Sequence, residues 1–148
     1  MKLGLRGRRV TPVSGHSVPS PRKIKAILRD LPPELRFQFY EDVGRPTGQE
    51  SSSLLDFCCK LGSAQSPQLY ASLTFHMRRG DFAAWIEEAV GDSELATKIN
   101  RIDPNGSSLA KKLHRTVDTR IRQLKGALME YSIVPEDQPS AVHLEPAR

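Results

Sequence analysis

The chain has 148 residues, with 22 Lys and Arg against 17 Asp and Glu, a net charge of +5, and 38% hydrophobic residues. This length serves one ordinary domain, and the low apolar content predicts a core-forming centre of about 100 residues diluted by polar ends. No stretch approaches the roughly 20 apolar residues of a membrane-spanning helix, and the opening MKLGLRGRRV is too poor in apolar residues for a signal peptide.

Residues 1–20 carry Gly4, Gly7, Gly15, Pro12 and Pro19 without a usable period, which predicts an extended arm. Together with the segment that follows, this arm concentrates charge. Residues 1–29 hold eight cations (Lys2, Arg6, Arg8, Arg9, Arg22, Lys23, Lys25 and Arg29) and no acid. A basic, serine-containing, acid-free stretch also suits an organelle transit peptide, but a cytoplasmic protein is the simpler expectation. Residues 30–107 are net acidic, with 7 basic and 12 acidic side chains, whereas residues 108–131 carry 6 and 2. A basic arm beside an acidic body is the pattern of an arm that seeks an acidic partner. The alternatives are that it folds back on its own body or only aids solubility.

Residues 21–131 are expected to form a single, mainly α domain of about five helices with a short β-hairpin near its N-terminal edge. Ser20-Pro21 is a cap followed by proline at the first helical position, and Ile24, Ile27, Leu28 and Leu31 follow at helical spacing until Pro32-Pro33. LRFQFYEDV alternates with period two, so it reads as a strand, and the GRPTG turn leads into a second one. A helix with Leu54, Leu55, Phe57, Cys58 and Leu61 ends at Gly62. Another starts at Ser66-Pro67 and runs to Gly80, and Asp81 is placed to cap the next, which carries Phe82, Trp85, Ile86 and Val90. Gly91 stops it, and Asp92 or Ser93 starts a further helix.

After the DPNG turn the longest helix is expected over 108–131. Leu109, Leu113, Val117, Leu124, Leu128 and Tyr131 lie on one side of it, with a basic ridge of Lys111, Arg115, Arg122 and Lys125 nearly opposite. That ridge can contact phosphates, although a solvated helix face explains it more simply. Residues 132–148, with Pro135, Pro139 and Pro146, are expected as a flexible polar tail.

The densest stretch is FHMRRGDFAAWIEEAVGDSELA at 75–96. The spacing of Phe75, His76, Arg79, Gly80, Asp81, Phe82, Trp85, Gly91 and Asp92, with the strand and helix upstream, resembles a small prokaryotic family classed as a domain of unknown function. The resemblance covers about residues 35–125 and implies a fold neighbourhood and a bacterial or archaeal origin, but no activity. Most of the motif is helix punctuation. His76, Arg79, Asp81 and Trp85 are nonetheless a candidate polar pocket, because helix packing requires neither an imidazole nor a guanidinium there. His76 either locks the corner near Asp81 or lines an anion site with Arg78 and Arg79.

No enzyme, cofactor or metal is expected. The chain lacks GxSxG, HExxH and a phosphate-cradling glycine loop, and Glu87-Glu88 reads as a solvated pair. His16, His76, His114 and His143 are far apart in sequence, and adjacent Cys58 and Cys59 do not supply the four ligands of a structural zinc. The leading expectation is therefore an accessory or adaptor subunit that its basic arm anchors on a larger acidic assembly, a ribonucleoprotein or DNA. An acidic protein complex is the next alternative, and a ligand-sensing domain with its pocket near His76 is the third.

Overall fold

The computed structural model describes the backbone of residues 18–63 and 67–142 and the side chains of 18–63 and 67–132. Among these residues are six α-helices and one two-stranded antiparallel hairpin, the expected fold class. They fall into two compact units, Lys25–Gln123 and the two flanks, 18–24 with 124–142.

Helix α1, Pro21–Leu28, starts as its sequence dictates: the Lys23 N–H donates to the Ser20 hydroxyl (3.2 Å) and the Ile24 N–H to the Ser20 carbonyl (2.9 Å). Ile24, Ile27 and Leu31 are buried. Prolines 32 and 33 then redirect the chain through a 3₁₀ turn, Pro33–Leu35.

Strand β1, Phe37–Asp42, pairs with β2, Arg45–Ser51, in the register Phe37 with Ser51, Gln38 with Glu50, Tyr40 with Pro46 and Asp42 with Arg45. The ladder shifts on either side of Tyr40. The alternation read from the sequence holds for Phe37 and Phe39, which are buried while Gln38 is exposed, but not for Leu35, which is exposed and belongs to the preceding 3₁₀ turn. On the inner face Phe37 meets Phe82 with ring centres 5.0 Å apart and Trp85 at 5.5 Å, and Phe57 meets Phe82 at 5.0 Å. This aromatic cluster joins β1 to α2, Leu54–Gly62, and to α4, Asp81–Trp85. The Trp85 indole N–H donates to the Leu35 carbonyl at 2.7 Å.

Helix α2 opens on a reciprocal cap, with the Ser53 hydroxyl accepting from the Asp56 N–H (3.0 Å) and the Asp56 carboxylate accepting from the Ser52 N–H (3.0 Å). Helix α3 is Pro67–Arg79. Helix α4 widens at its end into a π turn, Ile86–Val90, where the Gly91 and Asp92 N–H groups both reach the Ile86 carbonyl (2.7 and 3.0 Å). Gly91, at φ 94°, makes the left-handed turn that closes it. Asp92 then caps α5, Ser93–Asn100, by accepting from the Leu95 N–H at 3.2 Å.

The last helix, α6, runs Leu109–Val142, so its backbone continues past the expected end at Tyr131. The Ser132 hydroxyl donates back to the Leu128 carbonyl (3.1 Å), the bond to the preceding turn that a serine inside a helix makes. Leu109, Leu113, Val117 and Leu124 of the expected stripe are buried, and Ile121 with them, whereas Leu128 is half-buried and Tyr131 exposed. Arg120 stands among them. Its guanidinium donates from Nε to Asp92 Oδ2 (2.8 Å) and from Nη2 to Oδ1 (3.0 Å), with both side chains almost wholly buried. Its remaining nitrogen reaches Gln123 Oε1 at 2.9 Å and Glu94 Oε2 at 3.4 Å.

This fork ties the start of α5 to the middle of α6. Arg120→Ala leaves the Asp92 charge buried without its partner and is expected to lower the unfolding free energy by about 3–5 kcal/mol. Urea titration followed by circular dichroism measures the loss, and a change within the range of a surface substitution would show that the pair is dispensable.

Candidate functional site

The corner between α3 and α4 is built by Gly80, which occupies the left-handed region at φ 75° and accepts no side-chain cap. Here the structure corrects an expectation. Asp81 does not cap α4; it is the first residue of that helix, and its carboxylate points across the corner. Oδ2 lies 2.8 Å from His76 Nδ1 and accepts from Arg79 Nε at 3.0 Å. Gly80 can take the cap position because glycine bears no cost at positive φ, and this frees the carboxylate.

His76 is buried on α3. The Tyr40 N–H of β1 donates to its Nε2 at 2.8 Å. With Nε2 accepting, the proton sits on Nδ1 and is donated to Asp81, so the imidazole is neutral and its tautomer is set. Burial pushes its pKa below the ordinary value, and the Asp81 hydrogen bond opposes this without overcoming it. Neither ring nitrogen is free to take a proton from another molecule. The three elements β1, α3 and α4 meet on this one ring.

Beside the ring lies an open cleft of about 390 Å³, walled in part by Tyr40, Phe75, His76, Arg79 and Asp81. Arg79 also stacks over Phe75, with its guanidinium carbon 5.1 Å from the ring centre. Arg78 turns away to Asn105 Oδ1, at 3.1 Å from Nε and 2.6 Å from Nη2, and is not part of the cleft. Of the four residues grouped from the sequence, the structure brings His76, Arg79 and Asp81 together and leaves Trp85 behind them in the aromatic cluster. Tyr40 was not legible as their partner, since it contributes a backbone N–H that carries no sequence signal.

Of the basic residues, Lys2, Arg6, Arg8 and Arg9 lie outside the described residues. Arg22, Lys23 and Lys25 are exposed on α1, and among the described residues none has an ion-pair partner. Arg29 is also exposed. Its guanidinium donates to the Ala89 carbonyl at 3.0 Å and the Val90 carbonyl at 3.5 Å, and bonds to the Ala26 carbonyl. On α6, Lys111, Arg115 and Lys125 are exposed, and Arg122 is held by Asp118 at 2.8 Å.

A second grouping escaped the sequence. Cys58 of α2 and His114 and Asp118 of α6 place their donor atoms within 4.8 Å of one another. Burial first, and then the Asp118 and Cys59 charges, push the Cys58 thiol up to about 11. The i, i+4 spacing of His114 and Asp118 was a visible sign of a shared face, but the approach of α2 to that face was not.

The chain matches no family model, and comparison with curated proteins and with solved structures finds none similar to it.

For His76 the folded pKa lies below the unfolded value of about 6.5. The unfolded chain therefore takes up the proton first as pH falls, so the stabilisation is present above about pH 6.5 and is lost below it. Thermal melts of the wild type should show falling midpoints on acidification from about pH 7 to 5. His76→Ala should cost about 2–4 kcal/mol at neutral pH and show a shallower fall over that window. Equal slopes would remove His76 from the account.

Proposed function

We propose that the protein is a non-enzymatic accessory or adaptor subunit of the cytoplasm, anchored by its basic N-terminal arm to nucleic acid, as a ribonucleoprotein or DNA. Kinship with the small prokaryotic family resembled over residues 35–125 belongs to the same proposal. The observation that carries it is the state of Arg22, Lys23 and Lys25, which are exposed and have no carboxylate in ion-pair reach among the described residues. Cations already neutralised by the acidic body would release few counterions from a polyanion; solvated ones release them fully. Lys111, Arg115 and Lys125 offer further exposed charge on α6. An acidic protein surface is the second candidate for the same arm.

The cleft beside His76 favours a ligand-sensing role less. Both ring nitrogens are engaged within the fold, and Arg79 is bound to Asp81.

The full chain, captured from lysate at low and high salt with and without nuclease, should lose its partners on nuclease treatment. With a defined RNA or DNA duplex, changing Arg22, Lys23 and Lys25 together to Gln should reduce the slope of log K against log salt by about 0.7–0.9 for each cation that contacts a phosphate. Association that survives nuclease but not salt would transfer the role to an acidic protein. Absence of any association would sink the adaptor reading.

A further inference from the structure

We propose that Cys58, His114 and Asp118 form a binding site for one zinc ion, with the fourth coordination position open to water. The donors come from two elements. His114 and Asp118 stand one turn apart on α6, and Cys58 faces them from α2, all three donor atoms lying within 4.8 Å of one another. A tetrahedral zinc with bonds of about 2.0–2.3 Å holds its donors about 3.5 Å apart, so side-chain adjustments of about 1 Å close the cage.

The choice of ion follows from the donors. A thiolate with an imidazole and one carboxylate suits a borderline divalent cation, whereas calcium and magnesium require a shell of oxygens. Three protein ligands with one vacant position is an ordinary zinc arrangement.

The surroundings support the site independently. Among the described residues neither the Cys58 thiol nor the His114 ring has a hydrogen-bond partner, although Cys58 is buried and His114 half-buried. Gly62, the last residue of α2, lets the imidazole lie close: a β-carbon there would stand 3.0 Å from His114 Nε2 and 3.1 Å from Cδ2. Arg122 orients the Asp118 carboxylate through Oδ2 at 2.8 Å, the role that outer partners take around bound metals. Cys59 points out to solvent and takes no part. Bound zinc clamps α2 to α6, and the site stands whether or not the arm binds nucleic acid.

The test uses the reduced, metal-free full chain titrated with Co²⁺ and then with Zn²⁺. The expected result is one equivalent of cobalt per chain, with visible bands of tetrahedral cobalt and a near-ultraviolet thiolate-to-cobalt band, all displaced by zinc. Cys58→Ser should abolish the thiolate band, and His114→Ala and Asp118→Asn should each weaken zinc binding at least about tenfold. Cys59→Ser should bind as the wild type does. Zinc should also raise the melting temperature of the wild type and of Cys59→Ser, but not of the ligand variants. If Cys58→Ser does not fold, the half-buried His114→Ala decides. A wild type without the thiolate band, His114→Ala with undiminished zinc affinity, or loss of the band in Cys59→Ser would each overturn the proposal.

Discussion

Arg120 carries a positive charge into the apolar stripe of the longest helix, and the geometry around it is arranged to receive that charge. Asp92 accepts two nitrogens of the guanidinium and, through Oδ1, also caps α5. For Asp92 to do both, the chain must arrive at a fixed angle, which the π turn and the left-handed Gly91 supply. A buried pair of this kind contributes little net stability over a well-packed apolar pair, because desolvating two charges consumes most of the attraction. Its effect here is on register. Sliding α5 or turning α6 would strand a charge away from water, so alternative packings are penalised far more than the native one is favoured.

His76 does for the hairpin what Arg120 does for the helices. It gathers a strand, a helix and a helix start on two nitrogens, one accepting and one donating. The ladder around Tyr40 is irregular, and a side chain from α3 takes up the N–H there. An imidazole suits the position because it alone among neutral side chains offers an aromatic-sized ring with one donor and one acceptor on opposite sides. The ring also packs edge-on to Phe37 at 4.7 Å, so the polar joint and the aromatic cluster share a wall.

Elements with strong local signals were legible in the sequence. Ser20-Pro21, the alternating Phe37 and Phe39, Gly91 and Asp92 each fix structure through their immediate neighbours, and each does so in the fold. What distant segments decide was not legible. Asp81 has the composition and place of a cap, yet His76 claims its carboxylate, a competition that no local rule weighs. His114 lies 56 positions from Cys58 in the numbering, and only the packing of α2 on α6 makes them neighbours. Arg120, also missed, had a sign of its own: it falls three positions after Val117 and four before Leu124, on the apolar side, where a guanidinium has no reason to be unless something meets it.

The contact between Arg29 and the π turn has a mechanical side. Its donors engage the carbonyls of Ala89 and Val90, neutral acceptors that fix the side chain without cancelling its charge. Arg29, the residue after α1, thus fastens to the backbone two residues before Asp92, whose carboxylate holds Arg120. The residue that marks the end of the acid-free segment is therefore also the one fastened to the turn that precedes the buried ion pair.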